Sequence, residues 1–354
     1  MPPPDLDPQF WGGKRVLVTG HTGFKGAWAS YWLHLLGAEV FGLALEPDVT
    51  SMYRLLRLDE LIHSQVADLR DRAAVARAIA VARPELVLHL AAQPLIHRAI
   101  ADPNETFAVN VCGTVHLLDA LRHVPELRAV LVITSDKVYV DTEDGRAHPE
   151  ADRLGGRDPY SASKAACEIA TAAMAQSFLT AQGVRIATAR GGNVIGGGDF
   201  APWRLVPDAV RAARAGTPLT LRNPDAMRPW QHVLDCLCGY FSYLAALTSD
   251  RPLPNSLNFG PRLRHHATVA ELAAAMQNAL GAVQGWTHAP DPTARETQAL
   301  AIDSRLARRV LGWSDRVSGR RMIATTAAWY QAWARGADMR VVSRRQIEKY
   351  QALP

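Results

Sequence analysis

Arg15–Thr19 is a short run of β-branched and aliphatic residues that ends at a glycine cluster. Behind it, over residues 27–36, Trp28, Trp32, Leu35 and Leu36 recur at helical spacing. The pattern predicts strand, turn, helix. Further apolar strands are predicted at 39–45, 64–67, 86–91, 129–134 and 185–189, with helices at 73–82, 106–121 and 160–179 between them. Near-continuous apolar strands alternating with helices predict an α/β fold, a doubly wound parallel sheet covered on both faces.

This doubly wound unit is expected to occupy residues 1–190. After Gly191 the alternation breaks into a glycine-rich segment, a helix over Leu205–Ala215, a short strand at 219–222 and Arg228-Pro229-Trp230. A smaller C-terminal substrate lobe is therefore expected over 191–229 and 261–335. Residues 230–260, with a helix at 235–247 and a strand at 257–259, read as returning to the sheet, so the lobes interleave; 336–354 form a tail.

Composition narrows the class. Over 354 residues, 48% are hydrophobic and 21% charged, which excludes a disordered, collagenous or coiled-coil chain. The net charge of +5 includes a cluster of Arg305, Arg308, Arg309, Arg316, Arg320 and Arg321. With no nucleic-acid motif beside it, the cluster reads as a solvated basic face, and positive charge also suits a phosphorylated substrate. Cys112, Cys167, Cys236 and Cys238 lack metal or redox spacing and read as reduced, buried thiols. No metal site, export signal or membrane span is expected, which points to a cytoplasmic protein.

The chemistry concentrates at a few places. Gly20-His21-Thr22-Gly23-Phe24-Lys25-Gly26 lies at the first strand–helix junction, where glycines allow a sharp turn, backbone approach to a pyrophosphate and close helix packing. Glu46, after the second strand, is a candidate for a ribose 2′-hydroxyl or a plain surface turn; Asp68 is a second candidate, on the adenine side. Tyr160 and Lys164 form a Tyr-x-x-x-Lys on one helix face, and the neighbouring ammonium is expected to lower the phenol pKa and make Tyr160 a base. Thr134-Ser135-Asp136-Lys137 ends the fifth strand, where ligand-facing residues collect. Asn193, Gly196-Gly197-Gly198-Asp199, Arg204 and Arg228 suit a diphosphate, although either arginine also fits a structural ion pair. His232 reads as structural.

These segments, with Leu90-Ala91-Ala92-Gln93-Pro94-Leu95 and Arg228-Pro229-Trp230-Gln231-His232-Val233, resemble the extended short-chain dehydrogenase/reductases of the NAD-dependent epimerase/dehydratase family, and within them the 4,6-dehydratases that take CDP-glucose. The resemblance runs along most of the chain and includes the tail from Met339. It implies NAD held by Gly20, Thr22, Gly23, Phe24, Lys25, Gly26, Asp68, Leu69, Ala91, Ala92, Gln93, Asn110, Tyr160 and Lys164. It implies substrate contacts from Gln93, Asn193, Arg204 and Arg228.

For the chemistry, the resemblance implies that Tyr160 is base to the C4 hydroxyl, Lys164 tunes it and binds the nicotinamide ribose, Ser135 bonds the C4 oxygen, and Asp136 protonates the departing C6 hydroxyl. Lys137 stands where related dehydratases carry a carboxylate, and is either the base for C5 or an electrostatic stabiliser of the enolate. The product implied is CDP-4-keto-6-deoxyglucose, a precursor of surface-polysaccharide sugars such as those of O-antigen. A homodimer, or a dimer of dimers, is implied through the helices at 106–121 and 160–179.

Departures from the family pattern are Val138, Val140, Asp141, Gly191 in place of alanine and Phe200 in place of tryptophan; they bear on sugar or base selectivity. The alternatives are a nucleotide-sugar 4-epimerase, which needs no acid for a C6 hydroxyl, a 4,6-dehydratase for another nucleotide sugar, and an inactive dinucleotide-binding regulator.

Overall fold

The computed structural model describes residues 6–140, 145–262, 265–290 and 301–354. Asp141 lies outside them. The strands are β1 (Arg15–Thr19), β2 (Glu39–Ala44), β3 (His63–Val66), β4 (Leu86–His89), β5 (Ala129–Ile133), β6 (Arg185–Gly191), β7 (Val194–Ile195), β8 (Leu219–Leu221), β9 (Met227–Arg228), β10 (Gln231–His232), β11 (Ser256–Phe259), β12 (Ala267–Thr268) and β13 (Trp286–His288). Seven form one sheet in the order β11-β6-β5-β4-β1-β2-β3, and every pair in it is parallel.

The order reverses between β1 and β4, which opens a crevice at the carboxyl ends of these strands. β4 and β5 are buried along their whole length because helices cover both faces, which is why they read as unbroken apolar runs. The strand at 256–259 pairs with β6, so the chain re-enters the main sheet after leaving it at Gly191.

Two predicted helices are interrupted. Residues 103–121 pass through a π turn at Ala108–Cys112, and Pro159–Met174 runs into another at Ala175–Leu179. Apolar periodicity does not register such a local change in winding. The four cysteines form no disulfide, as the reading of reduced thiols requires, but Cys112 is exposed, contrary to the expected burial, because the π turn leaves it on the outer face.

Outside the sheet, helices Leu205–Ala215, Val269–Leu280 and Gly319–Ala334 pack together with the two-stranded pairs β8–β13 and β9–β12. The last helix, Met339–Gln351, reaches back to the first long helix, Phe24–Leu35. Tyr31 Oη donates to the Arg340 carbonyl at 3.0 Å, and Tyr350 meets Trp32 edge-on at 5.5 Å. One hydrophobic core therefore runs from Trp28 and Trp32 through Phe241 to Trp329. The basic cluster is partly tied down: Arg305 pairs with Asp303 and Arg308 lies 3.8 Å from Asp315.

Candidate active site

The glycine turn is dictated by close packing. Gly20 has φ +74°, and a Cβ there would lie 2.8 Å from the Ala91 nitrogen; one at Gly26 would lie 2.0 Å from the Gly20 carbonyl oxygen. Gly23 is exposed and caps the helix Phe24–Leu35 without any side-chain hydrogen bond. The first-turn amides are thus left for an anion. Thr22 Oγ1 donates to the Leu45 carbonyl, and Trp28 Nε1 donates to the Gly197 carbonyl, which hold the turn and the following helix in place.

At the far edge of the crevice, Asp68 is engaged by Arg70 through both carboxylate oxygens, and that guanidinium holds its carboxyl below the usual range. Glu46 is paired with Arg54 at 3.5 Å and stays largely exposed. Leu69 is buried against Gly113. The Ala91 amide donates to Thr19 Oγ1, which hydrogen-bonds with His89 Nδ1, and His89 Nε2 with Thr114. Burial lowers the pKa of His89 to about 3. This buried relay props the loop after β4 and was invisible in the sequence, where His89 is one polar residue in an apolar strand.

Asn110 is buried and fully used: Oδ1 accepts from the Gln93 amide, and Nδ2 donates to the Gln93 carbonyl and to Ser163 Oγ. Ser163 in turn donates to the Tyr160 carbonyl, so Asn110 joins the β4 loop to the helix of Tyr160. Gln93, expected at the substrate, does not line the cavity. Its amide folds back on its own loop, with Nε2 donating to the Leu95 carbonyl and Thr106 Oγ1, and Oε1 accepting from the Leu95 amide.

A cavity of about 910 Å³ opens beside this crevice and gathers Phe24, Lys25, Ser135, Asp136, Lys137, Tyr160, Asn193, Arg204 and Arg228. Ser135 caps a tight turn after β5 and accepts from the Lys137 amide. Its hydroxyl donates to Asp136 Oδ1 at 3.0 Å, and Lys137 Nζ lies 3.2 Å from the same oxygen. Asp136 is 1% exposed and its Oδ2 has no partner; Asn193 Oδ1 is likewise buried and unpartnered. Two unmet acceptors in one cavity suit a ligand rich in hydroxyls.

Tyr160 differs from expectation. Burial pushes its phenol up to about 12, against the opposing pull of its hydrogen bond with Ser135. The Lys164 ammonium, its pKa lowered by burial, donates to the Ile133 carbonyl at 3.0 Å and not to the phenol. Desolvation outweighs the neighbouring cation.

Arg204 lines the cavity and pairs with buried Asp199 at 3.1 Å, as its reading as a structural ion pair expects. Arg228 is buried on β9, with Nη1 donating to the Met227 carbonyl. His232 caps the helix Val233–Ala246 by accepting from the Leu234 amide, and burial lowers its pKa to about 3. It serves as a neutral cap.

Sequence reasoning missed Glu168. It is 5% exposed and accepts from Thr134, Thr188 and Arg190, clamping the helix of Tyr160 to β5 and β6. A signal was present: Glu168 lies four residues beyond Lys164, on the same helix face. Among the described residues no His, Cys, Asp and Glu group could hold a metal ion.

Known proteins resemble this chain along nearly its whole length. CDP-glucose 4,6-dehydratase of Salmonella typhimurium is 41% identical over 352 residues, 98% of either chain. An epimerase of Methanothermobacter thermautotrophicus superposes with a TM-score of 0.82 at 23% identity, covering 94% of this chain and 98% of its own. UDP-glucose-4-epimerase of Stenotrophomonas maltophila, solved with bound NAD and formylated UDP-arabinopyranose, gives 0.80 at 25% identity, covering 92% of this chain and 100% of its own. The model of the GDP-mannose 4,6 dehydratase family matches residues 17–326, and the chain belongs to that family.

Proposed function

We propose that this protein catalyses the NAD-dependent dehydration of CDP-glucose to CDP-4-keto-6-deoxyglucose, as a hydro-lyase. The observation that carries the reading is the buried Asp136, whose Oδ2 has no partner in the protein and which shares a cavity with Ser135 and Tyr160. A 4-epimerase needs the tyrosine but has no use for this acid. The likeness to the Salmonella typhimurium enzyme over 98% of the chain supports the same choice and the same nucleotide.

The forced glycines at 20 and 26 and the uncapped helix at Gly23 suit the pyrophosphate of NAD. Gly20, Gly23 and Gly26 would hold NAD there, and bound NAD would supply a hydride acceptor for the sugar C4 and the hydride later delivered to C6. Tyr160 takes the proton of the C4 hydroxyl, while Ser135 hydrogen-bonds that oxygen. Burial pushes the Tyr160 phenol up to about 12, so it would need added positive charge to act at neutral pH, which a bound oxidised nicotinamide would supply. Lys164 orients the nicotinamide ribose. Oxidation at C4 makes the C5 proton acidic, and Asp136 then protonates O6 as water leaves across C5 and C6. Lys137, when neutral, takes the C5 proton, or, when charged, stabilises the enolate while that proton passes to solvent; a proton returns to C5 as hydride reaches C6. Arg204 and Arg228 meet the diphosphate.

The exposed Phe107 and Ile169 lie on the helices expected to pair two copies, which supports a homodimer. No helix among the described residues is long and apolar enough to cross a membrane, and a cytoplasmic role in making deoxysugars for surface polysaccharides such as O-antigen is consistent with the substrate.

The test is incubation with NAD and CDP-glucose in deuterated water, followed by mass spectrometry and proton NMR. The expected product has lost one water, carries deuterium at C5 and shows a new C6 methyl signal. Asp136→Asn is expected to lower turnover by about 10²-fold or more. An unchanged mass with an inverted C4 centre would assign the epimerase instead.

A further inference from the structure

Trp203 lines the cavity, yet the chemistry proposed above makes no use of it. Its backbone sits at φ +64°, the left-handed region that a bulky residue adopts only when its surroundings hold it there. The holding groups come from three parts of the chain. Arg222, beyond β8, donates from Nη2 to the Trp203 carbonyl at 3.2 Å, and its guanidinium lies 5.4 Å from the indole centroid. His97, on the helix Ile96–Ala101, stacks on the indole with centroids 4.9 Å apart and planes 29° apart. Arg222 also contacts His97 Nε2, closing the triangle.

A tryptophan fixed this firmly would normally be core, but this one is 56% exposed. A large ring oriented by a stacked imidazole and a guanidinium, and left open on a cavity wall, has the properties of a stacking platform. The next residue, Arg204, supplies positive charge in the same cavity, and the groups suited to a sugar, Ser135, Asp136 and Tyr160, line it as well. The part of a nucleotide sugar that remains is its base, the one planar π system in the molecule.

We propose that Trp203 is the surface on which the nucleobase of the substrate stacks, with His97 and Arg222 as its backing; the inference rests on the nucleotide-sugar function proposed above. Stacking accepts any base because every base presents a π face. Trp203 therefore sets affinity for the nucleotide and leaves the choice among bases to edge contacts.

The test is calorimetric titration of the full-length wild type, Trp203→Ala and Trp203→Phe with CDP, inorganic pyrophosphate and NAD. Trp203→Ala is expected to weaken CDP about tenfold or more. Trp203→Phe keeps most of the affinity, and pyrophosphate and NAD bind all three proteins alike. Unchanged CDP affinity in Trp203→Ala, or an equal loss for pyrophosphate, would overturn the proposal. If the wild type ignores CDP but binds UDP, dTDP or GDP with the same dependence on Trp203, the stacking platform stands and the assigned nucleotide falls.

Discussion

A methyl group added at Gly191 would lie 2.4 Å from the hydroxyl oxygen of Tyr240. Tyr240 is fully buried on the helix Val233–Ala246, so it cannot swing away. This explains why glycine stands at the end of β6 where the family pattern has alanine: the space is already taken by the tyrosine oxygen. Gly191→Ala is therefore expected to lower stability by about 1–3 kcal/mol through overpacking. Tyr240→Phe should be close to neutral alone and should restore the alanine variant. Urea unfolding of the two single variants and the double variant reads this, and simple additivity would sink the account.

Glu168 and Arg190 form a buried pair at 2.8 Å, both 5% or less exposed, and Arg190 Nη1 donates to Tyr139 Oη and to the Glu150 carbonyl. Removing one partner leaves the other charge buried without its counterpart. Glu168→Ala is expected to cost about 3–5 kcal/mol, whereas replacing both residues with apolar ones of similar size costs less. Glu168 also accepts from Thr134, the neighbour of Ser135, and so sets the helix of Tyr160 against that segment; a folded Glu168→Gln enzyme should show reduced kcat with KM little changed. An unaltered melting temperature for Glu168→Ala would refute the structural part.

Three buried histidines make stability sensitive to acid. Burial lowers the pKa of His21 to about 4, and of His89 and His232 to about 3. Their unfolded values lie near 6.5, so between pH 4 and 6 the unfolded chain holds more protons and stability falls as the pH drops. Asp235 works the other way: burial raises it to about 6, so in the same window the folded state holds its proton. Three protons against one leave a net two at pH 5, a slope of about 3 kcal/mol per pH unit from these groups. His232→Asn keeps the helix cap and removes one of the three. Its stability should fall less steeply between pH 6 and 4.5 than that of the wild type; equal slopes would show that His232 is not one of the responsible groups.

Much of the fold follows from local rules. Strands read as apolar runs because a parallel sheet buried on both faces leaves them no polar side, and β1 and the helix Leu205–Ala215 fall where the pattern puts them. The strand–turn–helix at Gly20, Gly23 and Gly26 and the serine, aspartate and lysine ending β5 were legible for the same reason: their chemistry is carried by neighbours in sequence. The π turns at Ala108–Cys112 and Ala175–Leu179 were not, since one extra residue in a turn barely disturbs the periodicity.

What the chain alone determined, then, is the alternation of elements and the identity of groups whose partners lie within a turn or two. Only the tertiary structure decided how those groups behave, because desolvation and long-range contact depend on distant segments. Tyr160 and Lys164 share a helix face in any helix, yet burial raises the phenol and hands the ammonium to Ile133. Gln93 turns from the cavity to its own loop, Arg190 closes on Glu168, and Trp203 is held by His97 and Arg222, residues 106 and 19 positions away. No periodicity encodes these pairings, since each forms only after the sheet has brought separate parts of the chain together.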